Sequence, residues 1–547
     1  MILGYPHETT VTPGDVLTLH VSTDAPSFRV EFTRQEAVPV PVLTSDWLLP
    51  GRGQPAPMPA DGGTDCGWPE FQFLIGADWP TGAYSAAFVE GDGQGGVNPA
   101  PTPPPPPPNT NADPVDVFGA FFVVRPATPT AAVLYIIPLF TYHAYNTTGG
   151  TSLYESNASQ TVTFLRPGGG IGAYYRHGDP PDAYDSSSRR QTFAHWDAPF
   201  IRWLYANGIA ADFSTDLDLH QDPHLLDDYR LMVITGHPEY WSQAERDAVD
   251  AFVAHGGNVA FFSGNTCWWR VEVIDGDTGL RCEKNAVVPR SDWVPAQWWS
   301  DVGQPENSTT GVSYRSGGGW WSGTRDDVPY TVYHTSHWAF EGTGLKDGDT
   351  LGAGTHLVGY EADSAQMKWE QGLPLPTGVD GTPLGFTILG VGTLQNDGWQ
   401  FEDLGIYPQR AAAMGSYTNG GTVFNAATSD WARVLESGTV GIARLTRNVF
   451  DNLAQLAQLN DLMTAAGYYA AGDGFQHVIV ATTDGVVHEV FWKPQDPANP
   501  GVRVDQLTTF PPGTIAAAAG YYADATGYQH VIIATVAGRL CQTVFRP

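Results

Sequence analysis

At 547 residues the chain is too long for one ordinary core, and roughly 150 residues per domain implies three or four units. It is 42% apolar and 12% aromatic, which suits packed cores and argues against a mainly disordered chain. With 27 Lys plus Arg against 58 Asp plus Glu, the formal charge of -31 repels phosphate backbones and anionic membrane surfaces, which argues against a nucleic-acid partner.

No apolar run reaches the roughly 18 residues of a spanning helix, and the N-terminus lacks a basic segment followed by an apolar one. No membrane insertion and no signal peptide are expected, which leaves a cytoplasmic or a secreted protein. The cysteines, Cys66, Cys267, Cys282 and Cys541, lack C-x-x-C metal spacing; Cys267 and Cys282 are close enough in sequence to allow one disulfide.

Strand-like runs at Val16–Val21, Phe28–Phe32, Glu70–Ile75, Ala83–Glu90 and Phe118–Val124 predict a β-sandwich over residues 1–127. Within it, Asn98–Pro114 carries six consecutive prolines, which cannot donate to a ladder and read as an extended loop.

From residue 128 to 460 the period changes. Ala132–Ile137, Ala211–Thr215, Arg230–Thr235 and Asn258–Ser263 read as buried strands, with helical spacing at Pro199–Asn207 and Ser242–His255. Ser242 with Glu245 forms a capping box and Gly256-Gly257 a stop. Alternating strand and helix predicts a parallel sheet in an α/β domain. Further strand-like runs at Thr355–Glu361, Leu384–Gly390 and Gly421–Asn425, then helices within Trp431–Asn460 interrupted near Gly438, complete it.

Residues 461–547 repeat: Gly467-Tyr468-Tyr469-Ala470 and the run from Gly474 return as Gly520-Tyr521-Tyr522-Ala523 and the run from Gly527, a period of 53 residues. The repeat resembles blades of bacterial β-propeller lectins, which implies glycan pockets at Tyr468, Gln476, His477, Tyr521, Gln529 and His530. Those residues serve equally as blade packing. Two blades cannot close a ring, so the tail is also a candidate surface for homo-oligomers.

Ligands of an open parallel sheet bind outside the carboxyl ends of its strands. There the sequence places His237-Pro238-Glu239-Tyr240-Trp241, Asn265-Thr266-Cys267-Trp268, and Thr141-Tyr142-His143-Ala144-Tyr145-Asn146. His237 and Glu239 are acid/base candidates, with Asn265 as an amide donor; Tyr142, Tyr145, Asn146, Trp241 and Trp268 are substrate-binding candidates. Tyr240 and Trp241 also suit plain aromatic packing, and Glu239 suits a carboxylate at a helix N-terminus. Cys267 follows a strand as a nucleophile would, but bulky Trp268 and Trp269 crowd the turn. His143, His177 and Asp179 sit in loops near the same edge.

In order along the chain, Thr141–Asn146, Asp216-Leu217-Asp218-Leu219-His220, Gly236–Ser242, Gly264-Asn265-Thr266, Gly421–Asn425 and Asp430-Trp431 resemble landmarks of the C-terminal domain of the N,N-dimethylformamidase large (beta) subunit family. That resemblance implies a sheet similar to class I glutamine amidotransferases and a mononuclear iron held by two tyrosines and a glutamate. Tyr240 matches one ligand tyrosine. The second has no counterpart at the expected place, which is Pro199-Phe200, and Glu361, with Glu341 behind it, stands for the glutamate, so the ligand set is incomplete. The functional expectation is hydrolysis of a carbon–nitrogen bond in a small amide, with metal assistance. Its rival is a non-catalytic carbohydrate-binding or surface-interaction protein that uses its lectin-like tail.

Overall fold

The computed structural model describes residues 2–50, 62–98, 119–148, 152–154, 160–170, 182–185, 188, 190–282, 284, 298–395, 398–401 and 410–454, and the tail strands within 462–545. The chain forms two compact units, Met1–Ala454 and Gln455–Pro547. No described helix is long and apolar enough to cross a membrane.

The first unit opens with two facing sheets. One runs in the order Thr10–Val11, Gly119–Val124, Gly82–Gly91, Ser27–Arg34, Val40–Thr44, and the other Leu3–Pro6, Val16–Ser22, Glu70–Leu74. Phe28, Val30 and Phe32 alternate inward from one sheet and meet Leu17, Leu19 and Val21 from the other in a shared core. Most of the proline-rich segment lies outside the described residues.

A nine-stranded sheet follows, in the order Asp212–Thr215, Val133–Ile137, Leu231–Gly236, Asn258–Ser263, Gly421–Asn425, Ala411–Asn419, Thr387–Thr393, Tyr330–Val332, Thr350–Leu351. The first five strands are parallel. The remaining pairings are antiparallel, so the sheet is mixed rather than parallel throughout. The reversal begins at Gly420 (φ 83°), where Ala411–Asn419 turns tightly back into Gly421–Asn425.

Parallel strands are covered on both faces, and their side chains divide by alternation. Leu231 and Val233 join a core with the helices Ala198–Ala206, Trp431–Glu436 and Val440–Leu453, while Met232 and Ile234 join another with the helix Gln243–Ala254. The latter helix starts at the Ser242–Glu245 capping box and stops before Gly256 (φ 99°).

Three local expectations change. Thr141–Asn146 lies mostly in a short helix, Leu139–Tyr145. The Thr355–Glu361 run is a series of turns, with glycines at positive φ at Gly354 and Gly359, and only Glu361–Ser364 is strand, paired with Ser313–Gly319. Cys267 and Cys282 are free thiols, so the disulfide between them is not formed.

The second unit holds two antiparallel sheets, one of four strands (Leu462–Ala470, Phe475–Thr482, Val486–Trp492, Arg503–Thr509) and one of three (Ile515–Ala523, Tyr528–Thr535, Leu540–Phe545). Their registers repeat, with Tyr468 opposite His477 and Tyr521 opposite His530.

Candidate active site

The Leu231–Gly236 strand ends at Gly236 (φ 70°), where any added side chain would run into Trp196. That turn sends His237, Pro238 and Glu239 across the sheet edge into the short strand Tyr240–Ser242. One strand over, Gly264 lies so close to the Glu361 carbonyl that only hydrogen fits between them. The chain then enters left-handed geometry at Asn265 (φ 51°). Asp363 secures this turn, accepting from the Asn265 and Thr266 amides at 2.8 and 3.2 Å.

These loops surround one imidazole. His237 Nε2 lies 2.5 Å from Glu361 Oε2 and 3.6 Å from Glu239 Oε2. Its Nδ1 faces Gln191 Oε1 at 2.8 Å. Glu361 also accepts from Asn265 Nδ2 at 3.2 Å and from the Trp321 indole at 2.8 Å. Glu239 accepts from the Tyr154 hydroxyl at 2.8 and 2.9 Å and from the Trp269 indole at 2.8 Å. The Tyr240 hydroxyl donates to Tyr154, and Tyr145 stacks on Tyr154 with centroids 4.1 Å apart. The Lys284 ammonium lies 3.2 Å from the Tyr154 ring centroid and 4.6 Å from that of Trp269.

His237, Glu239, Tyr240, Asn265 and Glu361 are each at most 4% exposed. Burial alone would lower the His237 pKa, but the Glu361 and Glu239 carboxylates outweigh it and raise it, which favours the charged form of the ring. Burial, reinforced by Glu239, pushes the Tyr145, Tyr154 and Tyr240 phenols well above their ordinary range. Burial pushes Asp363 up to about 7, against the pull of its two backbone donors. Two carboxylates thus face an imidazole and an ammonium, an arrangement in which opposite charges offset one another's desolvation. Asn265 Oδ1 is buried with no hydrogen-bond partner.

Of the residues singled out from sequence, His237, Glu239, Tyr240, Asn265, Glu361 and Tyr145 come together. The others are engaged elsewhere. The Tyr142 hydroxyl binds Asp197, and Asn146 holds the Pro167 carbonyl and the Thr148 amide. The Trp241 indole donates to the Pro238 carbonyl within a hydrophobic core, and Trp268 packs on Trp298 and Tyr314. Phe200 is buried among Tyr135 and Phe262. His143 is buried against Phe164, where desolvation lowers it to about 3. Burial pushes the Cys267 thiol well up, the reverse of an activated nucleophile. His177 and Asp179 lie outside the described residues, as do the side chains of Tyr468, Gln476, His477, Tyr521, Gln529 and His530.

Sequence reasoning missed Gln191, Tyr154, Trp269, Trp321, Asp363 and Lys284. Two carried a signal. Trp269 is the alternate neighbour of Trp268 at the start of the Trp269–Ile274 strand, and Asp363 lies two residues beyond Glu361 in one strand. Among the described residues no group of three or more His, Cys, Asp or Glu side chains could hold a metal; the oxygen atoms gathered beside Glu239 are those of the Tyr154 and Tyr240 phenols.

Comparison with known proteins identifies the family. Residues 35–444 match the family described as N,N-dimethylformamidase beta subunit-like, C-terminal. The N,N-dimethylformamidase beta subunit of Paracoccus aminophilus is 25% identical over 394 residues, 60% of this chain and 49% of that protein. The corresponding subunit from Alcaligenes sp is 28% identical over 223 residues, 35% of this chain and 28% of that protein. The chain therefore spans about half or less of the length of these relatives. Since the match at residues 35–444 takes in most of the chain, including the nine-stranded sheet, the chain belongs to the N,N-dimethylformamidase beta subunit-like, C-terminal family.

Proposed function

We propose that this protein hydrolyses the carbon–nitrogen bond of a small amide at the His237–Glu361 pair. The observation that carries the reading is an imidazole 2.5 Å from one carboxylate and 3.6 Å from another, in a buried cluster beside an unpartnered carboxamide oxygen. Glu361 takes a proton from water as its oxygen adds to the amide carbon. His237 Nε2 then delivers a proton to the nitrogen as the C–N bond breaks, giving an acid and an amine. Asn265 orients the substrate through its carboxamide, and the burial of the cluster limits the substrate to a small molecule.

The iron implied by the resemblance fits the donor set around Glu239, a carboxylate with a phenol on both its oxygens and further phenols beside it. Glu239 and two of Tyr145, Tyr154 and Tyr240 would hold it, and bound there it supplies a Lewis acid that polarises the amide carbonyl. In this reading Glu239 takes the ligand role first given to Glu361, and Tyr154 or Tyr145 stands where Pro199-Phe200 offered nothing. The run of five parallel strands with helices on both faces supports kinship with class I glutamine amidotransferases.

The test is amine or ammonia release by the purified protein from formamide, N-methylformamide, N,N-dimethylformamide and acetamide. Turnover of at least one is expected, falling by about 100-fold or more in His237→Asn, as loss of a general acid requires. Absence of release from every amide, or an unchanged His237→Asn variant, would overturn the reading.

The repeated register of the two tail sheets favours a second reading for that unit alone, a glycan-binding surface that also joins copies of the chain. Glycan-array binding lost on removing residues 461–547 is the expected result; retained binding would contradict it.

A further inference from the structure

Gln191 holds His237 from behind, and its chemistry fixes the ring's hydrogen. Its Oε1 lies 3.2 Å from the Trp196 indole nitrogen and 2.8 Å from His237 Nδ1. An indole N–H can only donate, so the atom it meets must be the amide oxygen rather than the amide nitrogen. That oxygen accepts only, so His237 Nδ1 must carry a proton. On the far side of the ring, Nε2 meets Glu361 at 2.5 Å and Glu239 at 3.6 Å, with Asn265 Nδ2 at 3.5 Å.

Gln191 is itself held in place. It sits at φ 61°, a left-handed conformation that glutamine rarely adopts. Its neighbours are pinned: the Arg190 guanidinium donates to Asp182 at 2.6 Å and lies 4.5 Å from the Tyr360 ring centroid, and Thr192 caps the Phe193–Trp196 helix. Backbone strain at such a place persists only where surrounding contacts enforce it. Tyr360 in turn meets His237 edge-on at 5.8 Å, so Gln191 and the ring that Arg190 packs on brace the imidazole from two sides.

We propose that Gln191 is a positioning residue that locks His237 with a proton on Nδ1, leaving Nε2 as the nitrogen turned toward Glu361 and substrate. The hydrogen-bond claim stands on geometry alone; its effect on turnover rests on the amide-hydrolysis reading. A freed ring would swap nitrogens or turn, and the productive geometry would be lost for part of the time.

Nitrogen-15 histidine NMR on the full chain tests it, with the His237 signals assigned by their loss in His237→Asn. The wild type should show a slowly exchanging Nδ1–H. Gln191→Met should lose that signal and, on the activity arm, lower kcat by about ten-fold or more with KM little changed. Gln191→Glu keeps an acceptor oxygen and should retain the signal and most of kcat, which separates positioning from folding should the methionine variant be unstable. A wild type without the Nδ1 proton, a Gln191→Met variant that keeps both signal and kcat, or a folded Gln191→Glu variant that loses the signal overturns the proposal. If the wild type turns over no amide, the amide reading fails while the Nδ1 signal still decides this one.

Discussion

Two buried polar hubs lie under the same sheet edge, and their difference separates architecture from chemistry. Asp197, fully buried, accepts from Tyr135 at 2.8 Å, from Thr235 at 3.1 Å and from Tyr142. Its donors are neutral hydroxyls, and they tie the Val133–Ile137 strand, the Leu139–Tyr145 helix and the Leu231–Gly236 strand together. At His237, by contrast, charge faces charge, a carboxamide oxygen is unpartnered, and aromatic rings enclose an ammonium. A saturated neutral hub serves stability; a charged hub with an open valence is what a reaction requires.

That contrast can be broken by substitution. Asp197→Ala leaves three buried hydroxyls without their acceptor and should cost about 3 kcal/mol in urea denaturation, at about 1 kcal/mol for each bond lost. Glu239→Gln keeps the shape and one acceptor oxygen for Tyr154, so it should cost less stability than Asp197→Ala while turnover falls steeply. If both variants are equally unstable, the two hubs do the same work.

A second difference appears in pH. Burial raises Asp197 from its ordinary 3.8 to about 7, with the hydroxyl donors opposing, and Asp363 is raised to a similar value. The folded protein therefore holds protons that the unfolded chain releases. The stabilisation from these groups is present below about pH 4 and is lost as pH rises through about 7. Asp197→Asn should flatten the decline between those values; an unchanged slope would mean that Asp197 does not keep its proton. The smallest effect is expected at Ser242→Ala, which removes one helix cap and should cost about 1 kcal/mol.

How far the sequence was legible follows from periodicity. The central parallel strands carry apolar runs and the helix Gln243–Ala254 a capping box, and the rule that sites form at strand ends pointed to His237, Glu239 and Asn265. Gln191, Tyr154, Trp321 and Lys284 come from irregular stretches where no repeat fixes which way a side chain faces. Aromatic content misled for the same reason: of the adjacent pair Trp268 and Trp269, strand alternation sends only the second to Glu239. Tyr142 and Tyr145 share one short helix, yet the first binds Asp197 through its hydroxyl and the second stacks on Tyr154 at the other hub, which only tertiary packing decides. The reversal from parallel to antiparallel strands was hidden because a tight turn at Gly420 reads the same whichever sheet it joins.

The most direct measurement compares turnover of a small amide by Glu361→Gln and Asp197→Asn, with folding checked by circular dichroism. If His237 and Glu361 carry the reaction, Glu361→Gln loses about 100-fold or more in kcat while Asp197→Asn stays near wild type. Equal rates in the two variants, or a fully active Glu361→Gln, would contradict it.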